Sequence, residues 1–363
     1  MLPLARLNRM GTHPRILLTG YYGLGNCGDE AVLGGLLATI GRQLPNASPV
    51  VLSANPQQTQ ALHGVSAVHR VTGLLPALAR AEALVAGGGS LLQDATSFRS
   101  LVFYLWTMRA ALAFRKKLVL LGQGVGPLLR PRSRALTAAV LNRAHAITLR
   151  DAASACLLQE LGVTRPRIEV CADLALMLEP CPPPPEVSDF GVVLALRRWR
   201  ESEPAGAAAR AAALCKGIAG ACGAGVALLA MQEPDDRTLA EAAAGLVPGV
   251  RVLPRLAFAQ LAGVVMRARA VVAMRLHALI FAAVAGVPSV ALSYDPKVAA
   301  FMEAVGRPGW VLPYDASAQQ VADAACRALS DVQPYPPGRI DDLRRLARRN
   351  VEVLQEVLEG HTP

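Results

Sequence analysis

Aromatic residues make up only 4% of this 363-residue chain. That scarcity argues against the stacking platforms on which single-stranded nucleic acids are held. No nucleic-acid-binding signature accompanies the basic clusters at Arg109/Arg115/Lys116/Lys117, Arg130/Arg132/Arg134 and Arg344/Arg345/Arg348/Arg349. The chain also lacks an uninterrupted apolar run of the length a membrane-spanning helix needs, although 53% of its residues are hydrophobic. The first fifteen residues carry Arg6, Arg9 and Arg15 without an apolar segment and cleavage site, so no secretory signal is read. The seven cysteines are scattered, with no CxxC pair and no Cys/His ligand spacing. That argues against a metal site and a disulfide framework, and fits a reducing cytosol. What is present in excess is positive charge. A net charge of +10 favours anionic partners such as lipid headgroups or phosphorylated substrates.

Apolar strand-like runs alternate with helical stretches, a rhythm that implies parallel sheets with helices on both faces. Strands are expected at 16–19, 50–53, 83–86, 118–121 and 146–149, with helices at 30–42, 101–114, 133–144 and 152–161. Pro180 and Pro182 to Pro185 form a stiff run that fits neither a helix nor a central strand. Residues 180–186 are therefore read as a linker between a first domain (1–179) and a second (187–340). The second repeats the alternation, with strands near 191–196, 226–230, 250–253, 270–273 and 289–292. The expected fold class is α/β, two Rossmann-like domains facing a cleft. Leu343, Leu346, Val351, Leu354 and Leu358 have helical spacing, and residues 341–363 are a candidate to pack back on the first domain.

In open α/β sheets ligands sit at the carboxyl ends of strands. Several motifs fall there. Arg275 and His277 stand where an apolar strand gives way to a helix, whose N-terminus favours anions. Lys297 follows the next strand, and Arg197 ends the first strand of the second domain. Two arginines and a lysine suit a small phosphorylated anion; an Arg capping a carbonyl and a packed core histidine are the equally ordinary structural alternative. In the first domain, residues 20–30 read as strand, Gly-rich loop and helix. Gly23-x-Gly25-x-x-Gly28 alone is a weak dinucleotide signal, and no acidic residue follows at ribose-binding distance. Asp29 and Glu30 suit sugar hydroxyls, a base, or the helix dipole. Gly87-Gly88-Gly89-Ser90-Leu91-Leu92-Gln93-Asp94 reads as an open loop in which Gln93 and Asp94 hold hydroxyls. Gly122-Gln123-Gly124-Val125-Gly126-Pro127 ends another strand.

As a set these motifs, with Arg150-Asp151, Asp173, Arg197-x-Trp199, Arg275-Leu276-His277 and Tyr294-Asp295-Pro296-Lys297, resemble the polysaccharide pyruvyltransferase family. They run in order over nearly the whole chain. The set looks like that of bacterial enzymes that pyruvylate the secondary cell-wall polysaccharide on which S-layer proteins are anchored; Cys27 stands where a bulkier residue such as Leu is expected. The resemblance implies a glycosyltransferase-B-like fold without nucleotide-sugar chemistry. It implies phosphoenolpyruvate as co-substrate, no cofactor, and a lipid-linked saccharide containing N-acetylmannosamine as acceptor. Arg197, Arg275, His277 and Lys297 are then the donor-binding residues, since guanidinium forks match phosphate and carboxylate bidentately. His277 is the candidate general acid, Lys297 a further cation for the departing phosphate, and Asp94 or Asp29 the candidate base. Gly23, Asn26, Asp29, Glu30, Gly88, Gly89, Ser90, Gln93 and Asp94 are the candidate acceptor-binding residues. A nucleotide-sugar glycosyltransferase, marked by a ribose-binding Glu late in the second domain such as Glu303, is the alternative, followed by a non-catalytic anion- or lipid-headgroup-binding protein.

A lipid-linked acceptor also calls for contact with a membrane. The apolar, aromatic stretch from Phe98 to Phe114, flanked by Arg109, Arg115, Lys116 and Lys117, is the expected place for peripheral contact with the anionic inner leaflet from the cytoplasmic side; its structural alternative is a core helix. The sequence indicates no oligomeric state.

Overall fold

Runs of Val, Leu, Ile and Ala form two parallel sheets in the computed structural model, which describes residues 13–182, 191–199 and 203–360. The first domain runs β1 (Arg15–Thr19), α1 (Cys27–Gln43), β2 (Ser48–Ser53), α2 (Pro56–His63), β3 (Ser66–His69), α3 (Leu74–Arg80), β4 (Ala83–Leu92), α4 (Phe98–Ala113), β5 (Lys117–Val125), α5 (Pro131–Leu141), β6 (Ala146–Leu149), α6 (Ala152–Glu160) and β7 (Arg167–Val170). The second runs β8 (Val192–Ala195), α7 (Pro204–Cys222), β9 (Val226–Leu228), α8 (Asp235–Ala244), β10 (Arg251–Val252), α9 (Phe258–Arg267), β11 (Ala270–Ala273), α10 (Leu276–Ala285), β12 (Ser289–Ser293), α11 (Pro296–Ala304), β13 (Val311–Pro313) and α12 (Ala318–Leu329). A final helix, α13 (Arg339–Leu358), follows.

Strand order is β3-β2-β1-β4-β5-β6-β7 in one sheet and β10-β9-β8-β11-β12-β13 in the other. Central strands such as Val192–Ala195 and Ala270–Ala273 are apolar throughout because helices cover both faces. Order reverses between β1 and β4 and again between β8 and β11, the switch points where ligand crevices open.

The carboxyl edges of the two sheets meet. Cys27 N–H donates to the Met231 carbonyl (2.9 Å), and Glu233 N–H to the Gly25 carbonyl (3.0 Å). Asn26 and Gln232 form an antiparallel bridge between these stretches. The loop before α1 is thus stitched to the loop after β9.

Helix α13 lies on the first sheet although it follows the second domain in the chain. Asn350 Nδ2 donates to the Ala172 carbonyl (3.1 Å), Arg349 pairs with Glu169 (3.0 Å), and Lys117 Nζ donates to the Leu358 carbonyl (2.8 Å).

Three sequence readings need correction. Gly87–Gly89 is not an open loop: β4 continues through it, with Gly87 opposite Leu121 and Gly89 opposite Gln123, and a bulge follows. Gly122 to Gly124 likewise lie inside β5. Lacking side chains, both runs read as loops, yet they pair with one another. Cys222 and Cys326 form a disulfide that joins α7 to α12; their separation of 104 residues hid it from any spacing argument. The linker reading at 180–186 lies outside the described residues from 183 onward, as does the stretch 1–12 that was read for a signal.

Candidate active site

Three ionisable side chains from both domains converge where the two switch points face each other. Arg150 extends from the end of β6, and its guanidinium donates to Asp173 Oδ2 (3.0 Å) and Ser90 Oγ (2.7 Å). Its side chain is 6% exposed and that of Asp173 5%. The other Asp173 oxygen accepts the Ala175 N–H (2.9 Å), which fixes the carboxylate at the start of a 3-10 turn. From the second domain, His277 reaches across so that its Nε2 lies 3.9 Å from Asp173 Oδ2. Nε2 is buried and has no hydrogen-bond partner.

Two glycines make room for this cluster. A Cβ on Gly28 would lie 2.1 Å from His277 Nδ1, so the imidazole rests on the bare backbone of the first turn of α1. A Cβ on Gly89, whose φ is +74°, would lie 2.7 Å from Asp29 Oδ1. Only glycine meets both demands there.

The environment pushes the two acid–base candidates in opposite directions. Burial drives the His277 pKa down to about 4; Asp173 opposes the shift, while Arg150, Lys297 and Arg275 reinforce it. Burial drives Asp29 up to about 7; Arg150 and Lys297 oppose this, and Glu30 and Asp173 add to it. The site therefore combines a neutral histidine with a carboxyl group poised to gain or lose a proton near neutrality. Pairs of groups whose pKa values are pushed apart mark acid–base sites.

Each of the expected anion anchors has a protein partner. Arg275 makes a two-pronged pair with Asp236, Nε to Oδ2 at 2.8 Å and Nη2 to Oδ1, which leaves Nη1 for a ligand. Asp236 in turn accepts the N–H groups of Met231 (3.2 Å) and Gln232 (3.0 Å), so the arginine is locked to the loop that meets α1. Lys297 lies 3.1 Å from Asp295. Arg197 donates to the Tyr294 hydroxyl (3.1 Å) and sits over the rings of Tyr294 and Trp199. Tyr294 thus stands between Arg197 and Lys297, and Arg197 does not touch Arg275.

Several acceptor candidates are engaged by protein partners. Asp94 is corrected as a candidate base: its side chain is fully buried and accepts the Leu129 (2.7 Å) and Arg130 (3.0 Å) N–H groups. Burial alone would raise its pKa, but these bonds outweigh it and hold the carboxyl below its ordinary value. Asp94 clasps the loop after β4 to the loop after β5. Glu30 accepts the Gly23 N–H (2.8 Å) and pairs with His63 (2.8 Å), whose ring stacks on Phe258 of the second domain. Asn26 caps α1 by accepting the Gly28 N–H (2.9 Å). Gln93 closes a turn on Thr96 (3.0 Å), and Gly88 is packed against Val32. Of the acceptor set, Asp29, Gly89 and Ser90 remain beside the cluster. Glu303, the ribose-binding alternative, is exposed near the far end of α11.

A sequence model of the family described as polysaccharide pyruvyl transferase matches residues 26–296. The chain belongs to that family. A search of curated proteins finds no match. Solved structures share the fold: an S. aureus MnaA–UDP co-structure has a TM-score of 0.66 at 12% identity, over 95% of this chain and 97% of that one. Anabaena Alr3699/HepE in complex with UDP-glucose has 0.59 at 15%, over 96% and 99%. UDP-GlcNAc 2-epimerase from Neisseria meningitidis, bound to UDP-GlcNAc, has 0.60 at 10%, over 94% and 100%. At such identities the likeness is one of architecture, and that architecture is glycosyltransferase-B-like. The matched span includes Arg150, Asp173, Asp236, His277 and Asp29, so the cluster lies within the family's own sequence.

The opposed shifts give this family member a characteristic acid response. His277 falls from 6.5 unfolded to about 4 folded, so the unfolded chain takes its proton first, and stability drops as pH falls through that window. Asp29 rises from 3.8 to about 7, so the folded state keeps a proton that the unfolded chain has lost, and its contribution fades as pH rises through that window. Between these limits the two slopes oppose. Asp29→Asn should therefore gain stability with rising pH more steeply than the parent, and His277→Gln less steeply. Urea denaturation over this pH range checks both, and parallel curves for all three proteins would contradict the opposed shifts.

Proposed function

We propose that the protein transfers the pyruvyl group of phosphoenolpyruvate to two hydroxyls of a sugar, forming a cyclic ketal and releasing phosphate. The observation that supports this reading best is that Asp29 and His277, pushed in opposite directions, both lie in the field of Arg150 and Lys297. Ketal formation needs proton movement at neutral pH and at least two charges for the donor's phosphate and carboxylate. Lys297, Arg275 and Arg197, with Arg150 behind Asp173, supply the charges.

A proton goes to the methylene carbon of the donor, and positive charge develops on the adjacent carbon. A sugar hydroxyl adds there and gives up its proton. The carbon–oxygen bond to phosphate then breaks, and the second hydroxyl closes the ring. Two hydroxyl protons are released; one replaces the proton spent on carbon and the other leaves with phosphate. His277 is held neutral because burial is joined by three cations. Donor anions would neutralise those cations and raise its pKa, so that the histidine becomes an acid once the donor is bound. Asp29 is better suited than Asp94 to accept the hydroxyl proton, since its carboxyl is not tied up in backbone bonds.

The acceptor proposed is a lipid-linked cell-wall saccharide containing N-acetylmannosamine, and the product would serve to anchor S-layer proteins; the resemblance in the motif set supports this choice. The reaction would take place on the cytoplasmic side of the membrane, where phosphoenolpyruvate is available. No cofactor enters the scheme. Phosphate release from phosphoenolpyruvate, measured against a panel of lipid-linked saccharides, tests the proposal. Acceptor-dependent release is expected. Release of UDP from a nucleotide sugar, with none from phosphoenolpyruvate, would replace it with a glycosyltransferase, and turnover of neither would leave a binding protein.

A further inference from the structure

Between Asp94 and Asp151 the sequence contains no acidic residue and ten Lys or Arg. Helices α4 and α5 lie within this stretch and pack side by side on one face of the first sheet. Between them runs an apolar groove with a volume of about 540 Å³, lined by Val102, Trp106 and Leu136 among others and by Arg109 and Arg143. Trp106 is 45% exposed, and Phe114 and Leu129 add further exposed apolar surface at opposite ends of the pair. Arg99, Arg109, Arg115, Arg132 and Arg143 are all exposed, and none has an acidic partner within 4 Å among the described residues.

Two basic residues expected from sequence to face a membrane are occupied elsewhere. Lys117 pairs with Glu82 (2.9 Å) and bonds the Leu358 carbonyl, and Lys116 bonds the Ala79 carbonyl (3.3 Å). The unpaired charges belong instead to the α4–α5 face.

We propose that the α4–α5 face is a docking site for an anionic lipid bilayer. Trp106 and the groove would enter the headgroup boundary, and the five arginines would meet lipid phosphates. An apolar centre with an exposed indole and a cationic surround is the arrangement that partitions into a bilayer interface. Charge complementarity selects this occupant over a second copy of the chain. A two-fold contact would set the same five unpaired arginines of each copy against one another, and like charges oppose such an interface. Both helices begin at the strand ends that form the cleft, so a bilayer on this face lies beside the cleft mouth. The proposal does not depend on the reaction assigned above, because binding to vesicles can be read without turnover.

Co-sedimentation with phosphatidylglycerol-containing vesicles and with pure phosphatidylcholine vesicles tests it in the full chain. The unaltered protein should bind only the anionic vesicles, and release should follow at about 1 M salt, where the screening length falls to about 3 Å. Trp106→Glu/Leu136→Glu and, separately, Arg109→Glu/Arg143→Glu should each weaken binding at least tenfold. Arg267→Glu/Arg269→Glu, an equal charge change on the second domain, should not. All six positions are partly or fully exposed, and the salt and lipid dependence of the unaltered protein stands without any variant. Equal binding to neutral vesicles would overturn the proposal. So would an unchanged affinity in both α4–α5 variants, or a dimer in sedimentation equilibrium that those variants abolish.

Discussion

Replacing His277 with glutamine should lower turnover by roughly a hundredfold or more while the melting temperature stays within a few degrees. The imidazole makes no hydrogen bond through Nε2, so little bonding is lost. Glutamine is polar and of similar reach, but it cannot carry a titrating proton. Gly28→Ala should reproduce part of the loss, because its methyl group would lie 2.1 Å from Nδ1 and must displace the ring. Steady-state phosphate release, with thermal melts on the same preparations, separates chemistry from folding. A His277 variant that unfolds, yet keeps full specific activity in its folded fraction, would return this residue to the role of a packed core histidine.

Arg150→Met should destabilise the first domain by about 3–5 kcal/mol, the usual range for breaking a buried ion pair from one side. Asp173 is 5% exposed and would be left charged without its main partner. Removing that charge as well, in Arg150→Met/Asp173→Asn, should restore most of the stability. It should not restore turnover, because the cation beside Ser90 and the carboxylate facing His277 are then both gone. Urea midpoints for the single and double variants, set beside their turnover, provide the test. If activity returned along with stability, the pair would be a fold element without a place in the reaction.

Much of the architecture was legible because both sheets are built from apolar runs that alternate with amphipathic helices. The strand at 270–273 and the helix at 276–285 fall where the sequence puts them, since Arg275 breaks one apolar run and Gly286 ends the next. Weakly patterned edge strands did not show. Ser66–His69, Arg167–Val170 and Val311–Pro313 are short and mostly only partly buried, so they carry no apolar run to read. Strand-end chemistry was legible, and Arg197, Arg275, His277 and Lys297 were picked out as candidates by it. Arg150 follows strand 146–149 and met the same rule, but it entered only as part of the motif set; Asp151 beside it caps α6. Asp236 had no local signal: it lies 39 residues from Arg275, and only the fold brings them together. The backbone N–H partners of Asp94 and Glu30 did not show, because a carboxylate beside glycines looks alike in sequence whether it faces a sugar or a backbone N–H.

Helix α13 ties the completion of the first domain to the synthesis of everything that separates them. Its buried stripe, with Leu343, Ala347, Val351 and Leu354, covers part of the first sheet, and Asn350 supplies the Ala172 carbonyl with its donor. A nascent chain that has already made 13–182 therefore carries an uncovered apolar sheet face for as long as the ribosome takes to reach residues 339–358. At about 5–20 residues per second that interval lasts on the order of ten seconds or more. A chain that stops short of α13 is therefore expected to expose that face and to aggregate more readily than the full chain, as exposed apolar surface in incomplete folds does.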